Sequence, residues 1–192
     1  MAKEQLLLWR VFPWNIDAAK GDPFSPQFIP PGQGSGRFDL GGDLSVLYLA
    51  ESPVHAIAEK IQRYRGQELT RSELREFGFP LSLVEVVVSI EEPAVIMDLG
   101  DPDELVRYGF RPDLLMSRDR TKTQAVAREI HRQSFLGMQC WSALSGDWHS
   151  TVLFIDRLGT LGTIEYRTPV PLTISSPTLA EAAAALSIRI VR

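Results

Sequence analysis

Three residues of this chain have types and an order that could do chemistry together. Arg37 sits in Gly36-Arg37-Phe38-Asp39, Tyr48 in Leu47-Tyr48-Leu49-Ala50, and Glu59 follows the tyrosine by eleven residues. A guanidinium is a planar fork of donors that matches phosphate oxygens. A phenol offers a ring face and a hydroxyl, and a carboxylate stabilises developing positive charge. Together they suit a substrate that carries phosphate and a ring. Two of them also have a structural reading. Tyr48 fits a core position on a buried strand, and Glu59 fits a solvated glutamate paired with Arg63 one helical turn on. Two further residues join them as candidates: Arg10 as a second guanidinium or a structural ion-pair partner, and Ser142 as a hydroxyl that could simply end a strand.

The elements that must position these residues alternate between strand and helix. Residues 6–12, dense in apolar and aromatic side chains, predict a strand ended by Pro13. Residues 13–42 hold Pro23, Pro26, Pro30, Pro31 and a series of glycines, which defeats helix and central strand alike and marks a loop suited to covering a substrate. Residues 46–50 predict a short buried strand. Ser52-Pro53 then starts a helix over 53–64, with Val54, Ile57, Ala58 and Ile61 facing the core, Lys60 and Arg63 outward, and Glu59 at the edge of the stripe. Thr70 and Glu73 form a capping-box pattern ahead of Leu74 and Phe77.

Further along, residues 81–90 are the clearest strand, with Val84, Val86 and Val88 on one face, followed by a turn at Glu91-Glu92-Pro93 and a strand over 94–99. A helical turn at 103–108 precedes a longer helix at 121–135, with Ala125, Val126, Ile130 and Phe135 toward the core and Gly137 as its stop. Strands at 151–155, 162–167 and 172–175 and a helix through Leu186 capped by Thr178 complete the chain. With no repeat and no linker, the expectation is a single α+β domain over residues 1–192, a twisted mostly antiparallel sheet with flanking helices.

Composition removes several function classes. With 44% hydrophobic and 23% charged residues the chain has the balance of a soluble globular protein, and no apolar run is long enough to span a membrane. No secretory cleavage pattern opens it, so the expected location is the cytoplasm. Cys140 is the only cysteine, which excludes an internal disulfide and a cysteine-based zinc cluster. A net charge of -4 argues against a broad nucleic-acid surface. The basic middle, Arg107, Arg111, Arg118, Arg120, Lys122 and Arg128, reads as a solvated face.

Generic motifs fail as well. Gly32-Gln33-Gly34-Ser35-Gly36 follows prolines rather than a strand and lacks the Lys-Ser/Thr of a phosphate loop, so it reads as a flexible hinge. His55, His131 and His149 have no zinc spacing and read as surface or packing residues, so no metal is expected. Ser142, Ser145 and Cys140 have no nucleophile elbow or partner base.

The combination is more specific than its parts. Arg10 in Leu8-Trp9-Arg10-Val11-Phe12, then Gly36-Arg37-Phe38, then Leu47-Tyr48-Leu49-Ala50-Glu51-Ser52 with Glu59 beyond, and Ser142-Ala143 ahead of an apolar strand, resembles the RES-domain family over about residues 6–156. The family's Arg, Glu and Ser fall on Arg37, Glu59 and Ser142. The chain departs from the family pattern at Val11, Asp39, Trp141 and Leu144. The C-terminal strands and helix at 160–190 complete the domain.

The resemblance implies a fold similar to ADP-ribosyltransferases and the toxin of a bacterial toxin-antitoxin pair. It implies NAD as substrate, with inorganic phosphate as acceptor (NAD phosphorylase) or a protein as acceptor (ADP-ribosyltransferase), and a helix-turn-helix, Xre-like antitoxin as partner. Homo-oligomerisation and a non-catalytic partner-binding role stay open. Cleaving the nicotinamide–ribose bond passes through an oxocarbenium-like state, which Glu59 would stabilise. Arg37, with Arg10, would take the pyrophosphate, Tyr48 the nicotinamide ring, and Ser142 would fix Glu59 or the ribose. Asp39 beside Arg37 is expected to weaken the arginine's pull on phosphate unless it contacts a ribose hydroxyl.

Overall fold

A computed structural model describes residues 4–91, 95–115 and 117–191; the expected turn at Glu92-Pro93 and the start of the next strand at Ala94 lie outside the described residues. In chain order the elements are β1 (Glu4–Pro13), β2 (Val46–Ala50), α1 (Pro53–Ile61), β3 (Glu68–Leu69), β4 (Arg75–Glu76), β5 (Phe79–Ile90), β6 (Ile96–Asp98), α2 (Pro102–Tyr108), α3 (Pro112–Leu115), α4 (Arg120–Arg132), β7 (Gly137–Trp141), β8 (His149–Phe154), β9 (Gly162–Tyr166), β10 (Val170–Pro171), α5 (Pro177–Ala185) and β11 (Arg189–Ile190). This is a mixed α/β fold with a mostly antiparallel sheet. By internal contacts the chain divides into two compact units. The first comprises Met1–Leu6, Ile29–Tyr48 and Val88–Ile164, the second Leu7–Phe28, Leu49–Val87 and Glu165–Arg192.

The first unit carries the strand order β2-β8-β7-β6. β7 and β8 pair antiparallel with Met138 opposite Val152, and β6 runs parallel to β7 with Ile96 opposite Gly137. Phe38, Met97, Leu99, Ile130, Met138, Val152 and Phe154 form the middle of one buried cluster. At roughly 1.5–3 kcal/mol for each large side chain removed from water, that cluster dominates the unit's stability. α4 supplies Val126, Ala127 and Ile130 to it, together with the buried polar Thr123, while Ala125, expected in the core, is exposed.

The stop signal of α4 also differs from expectation. The helix is capped at its start by Asp119, whose carboxylate accepts the Thr121 N–H at 3.0 Å, and it ends at Arg132, with Ser134 in the left-handed region at φ 67°. Gly137 instead opens β7. A Cβ at Gly137 would lie 2.3 Å from the Val152 carbonyl oxygen, so glycine is needed there for strand pairing and not for helix termination.

In the second unit the strand order is β10-β5-β1-β2. β1 and β2 pair antiparallel with Trp9 opposite Ala50, and β10 pairs with β5 through Val170 opposite Leu83. The inward row Ser82, Val84, Val86 of β5 is fully buried, as the alternation predicts. α1 starts as expected: Ser52 accepts the His55 N–H at 3.1 Å and Pro53 occupies the first helical position. Its buried face is broader than the predicted stripe, taking in His55 and Ala56 beside Ile57, Ala58 and Ile61, and it packs against α5.

Three local expectations in this unit are corrected. The capping-box segment makes its Glu73-to-Thr70 contact, the Thr70 N–H donating to Oε2 at 2.7 Å, but closes only a 3-10 turn at Ser72–Leu74; Phe77 is exposed. α5 is capped by Ser176 rather than Thr178, with Pro177 pre-set for the first turn. The strand expected at 172–175 is instead the two-residue β10, which a proline-flanked segment at a sheet edge favours.

Candidate active site

Arg37, Tyr48 and Ser142 come together in the first unit. The turn ahead of them is built around Asp39, a carboxylate only 4% exposed. Asp39 Oδ2 accepts the Gly36 N–H at 2.6 Å and Oδ1 accepts the Tyr48 hydroxyl at 2.8 Å, while the Tyr48 oxygen accepts the Phe38 N–H at 2.8 Å. A side chain at position 36 has no room, because a Cβ would lie 2.3 Å from Asp39 Oδ1 and 2.7 Å from Tyr48 Oη. Asp39, expected as a competing charge beside Arg37 or as a ribose contact, has both oxygens engaged inside the turn by the Gly36 N–H and the Tyr48 hydroxyl.

Tyr48 is the one residue of β2 that is exposed, at 36%, between buried Leu47 and Leu49, which rules out the core reading. The ring presents an open side while the hydroxyl end is sheltered by the turn. Burial pushes the phenol pKa well above its usual value; the Phe38 N–H opposes this and the Asp39 charge adds to it. Tyr48 is therefore a neutral hydroxyl that locks the turn, with its ring left for other contacts.

The guanidinium of Arg37 forks between two main-chain carbonyls. Nη1 donates to the Trp141 oxygen at 3.2 Å and Nη2 donates to the Leu115 oxygen, so the end of α3 and the end of β7 hold one side chain. Its Cζ stands 4.8 Å from the Phe38 ring centroid. With two of five donors so used, the rest of the fork keeps its capacity for an anion. Ser142, adjacent to Trp141, is buried; its Oγ accepts the Leu144 N–H at 3.1 Å and its N–H donates to the Trp148 oxygen at 2.7 Å.

Side chains from α4 hold this loop from below, and these are the residues that sequence reasoning missed. Thr123 donates its hydroxyl to the Arg37 carbonyl, and Gln124 Nε2 donates to the Gly34 and Gly36 oxygens at 3.0 and 2.9 Å. Arg120, read as part of a solvated face, reaches the Ser35 oxygen. Gln33 pairs with the main chain of Val46 in both directions, accepting its N–H at 2.7 Å and donating to its oxygen at 2.9 Å. The segment read as a flexible hinge is pinned at five of its polar groups. A polar Thr123 on the buried stripe of α4 was the available signal.

Arg10 and Glu59 belong to the second unit. Glu59, on α1, has a side chain 38% exposed. Its Oε1 lies 3.3 Å from His55 Nε2 and its Oε2 accepts from Gln62 Nε2 at 2.9 Å. The alternative partner Arg63 pairs with Glu76 instead, as does Lys60 at 2.6 Å. Arg10 Nη1 donates to the Phe28 and Pro26 oxygens at 3.3 and 3.4 Å, and its Cζ stands 5.3 Å from the Phe12 ring centroid. Burial lowers the Arg10 pKa while Tyr166 opposes; burial raises that of Tyr166 while Arg10 opposes. These contacts make Arg10 a strut under the proline-rich loop, and an anion contact would use its remaining donors.

Among the described residues no three His, Cys, Asp or Glu are grouped to hold a metal ion, and no helix is long and apolar enough to cross a membrane. No curated protein matches the chain with significance. Among solved structures it is similar to the crystal structure of the M.tuberculosis MbcT-MbcA toxin-antitoxin complex, with a TM-score of 0.60 and 17% sequence identity over 97% of this chain and 90% of that chain, a likeness of fold. The RES domain matches residues 7–174, which takes in Arg10, Arg37, Tyr48, Glu59 and Ser142. The chain belongs to the RES domain family.

Proposed function

We propose that this chain is the toxin of a bacterial toxin-antitoxin pair and that it depletes NAD by cleaving the nicotinamide–ribose bond. The reading is supported by its family and by a fold similar to that of a solved toxin-antitoxin complex. The observation that carries it is the cluster in which Arg37 forks between Leu115 and Trp141 while Tyr48, bonded to the Phe38 N–H, keeps an exposed ring. A preorganised guanidinium beside an open aromatic face suits a pyrophosphate joined to a flat heterocycle.

In this reading Arg37 takes the pyrophosphate, with Arg10 as a second contact, and the Tyr48 ring takes the nicotinamide. Glu59 stabilises the positive charge that develops on the ribose as the bond breaks, and Ser142 fixes Glu59 or the ribose. Nicotinamide leaves as a neutral group, so no strong general acid is needed. Inorganic phosphate is the acceptor, giving ADP-ribose 1''-phosphate. The partner is a helix-turn-helix, Xre-like antitoxin, and the pair acts in the cytoplasm.

Purified protein incubated with NAD, with and without phosphate, tests this through nicotinamide release. Release that requires phosphate supports phosphorolysis, and release that requires a protein acceptor redirects the reading to ADP-ribosylation. No loss of NAD in any condition sinks the enzymatic reading. Glu59→Gln is expected to retain the fold and lower turnover by at least about a hundredfold; near-normal turnover refutes the role of Glu59.

A further inference from the structure

We infer that His55 and Gln62 are positioning residues that aim the carboxylate of Glu59, an inference that rests on Glu59 acting on the substrate. One helix face supplies the whole device. His55 lies one turn before Glu59 and Gln62 three residues after it, spacings that put all three side chains side by side on α1 and its cap. Each holds a different oxygen: His55 Nε2 is 3.3 Å from Oε1, and Gln62 Nε2 is 2.9 Å from Oε2. A carboxylate can only accept, so the His55 proton on this side must be on Nε2.

The two holders are themselves fixed, by different means. His55 is fully buried, so the packing around it confines the imidazole, while its main-chain N–H closes the Ser52 cap and fixes the helix start that carries it. Gln62 is exposed, but its amide also donates to the Glu59 main-chain oxygen at 3.0 Å, one of the carbonyls left without an intrahelical partner at a helix end. A single amide thus closes the end of α1 and restrains the carboxylate. An unrestrained glutamate at a helix edge samples several rotamers, and each wrong one removes its charge from where it is needed. Neither holder need touch substrate. Both act through Glu59.

Steady-state nicotinamide release by the full chain tests this with four variants. Gln62→Met keeps length and hydrophobic stem but removes the donor, and His55→Phe removes the other donor. His55→Gln keeps an N–H, and Glu59→Gln is the reference. Expected for Gln62→Met is a kcat about tenfold lower with KM for NAD within about twofold, the signature of a lost transition-state interaction, and a melting temperature lower by only about 2–4 °C for the lost helix-end bond. His55→Gln is expected to retain more kcat than His55→Phe. Should His55→Phe fail to fold, the exposed Gln62→Met decides alone. Parental kcat in folded Gln62→Met, with Glu59→Gln inactive, overturns the positioning roles and leaves the Glu59 reading intact. Near-normal turnover of Glu59→Gln overturns both.

Discussion

Replacing Asp39 with alanine should unlock the turn that carries Arg37 and cost about 2–4 kcal/mol of stability. The carboxylate accepts from the Gly36 N–H at 2.6 Å and the Tyr48 hydroxyl at 2.8 Å while 4% exposed. Hydrogen bonds to a charged acceptor contribute roughly 1.5–3 kcal/mol each, and a buried donor left without an acceptor forfeits its desolvation energy. Tyr48 retains the Phe38 N–H and an exposed ring through which water can return, so its share falls toward the lower figure. Asparagine preserves the shape, accepting from Gly36 and donating to the Tyr48 oxygen, and should cost only about 1 kcal/mol. Urea denaturation with an unchanged m-value measures both. A cycle with Tyr48→Phe should give a coupling of about 1 kcal/mol. Asp39→Ala within about 0.5 kcal/mol of the parent, or no worse than Asp39→Asn, would refute the assignment of Asp39 as the turn's clamp.

Two further outcomes follow from contacts elsewhere in the molecule. Arg37→Lys puts a single ammonium where a planar fork bridges the Leu115 and Trp141 carbonyls, and kcat/KM for NAD should fall at least about tenfold with a partial loss of thermal stability; parental kinetics would remove Arg37 from the proposed site. The Glu73 carboxyl is held down to about 2 by the Thr70 hydroxyl, the Thr70 N–H and the Ser72 hydroxyl. Its folded value is depressed, so its contribution to stability is present above the ordinary glutamate range and is lost as pH falls toward 2. NMR titration should find that low midpoint, and Thr70→Val should move it back toward about 4.3; an unmoved midpoint contradicts the cause.

Where burial is periodic along the chain, the sequence was sufficient. The Val84, Val86, Val88 row, the β2 segment and the Ser52-Pro53 start of α1 all follow from local alternation and capping, and all are found in place. What could not be read there depends on partners far along the chain. Gly137 looked like a helix stop, because only the approach of Val152 shows it to be a strand residue. Tyr48 looked suited to the site but also to the core, because its exposure depends on the turn that receives its hydroxyl. The turn-building role of Asp39 was not legible, because its two donors, Gly36 and Tyr48, are set by a loop with no regular pattern. The order Arg37, Tyr48, Glu59, Ser142 was legible as a family pattern, yet the α4 supports Thr123 and Gln124 bond main-chain atoms, which carry no residue-specific signature.

Gln33 has a consequence for the ageing of the protein. Its amide faces the Val46 peptide group as a neighbouring strand would, one atom giving a proton and the other receiving one. Only an amide has that polarity. Hydrolysis to glutamate would alter neither length nor shape, but it would turn an oxygen toward the Val46 oxygen and place a charge at the start of β2. Gly34, which follows directly, leaves the bond open to the attack that begins such hydrolysis. A slow chemical change at one half-buried side chain would thus release one fastening of the loop carrying Arg37 while those of Asp39, Thr123 and Gln124 stay, and aged preparations should separate by charge into a form with the full set and a form lacking one.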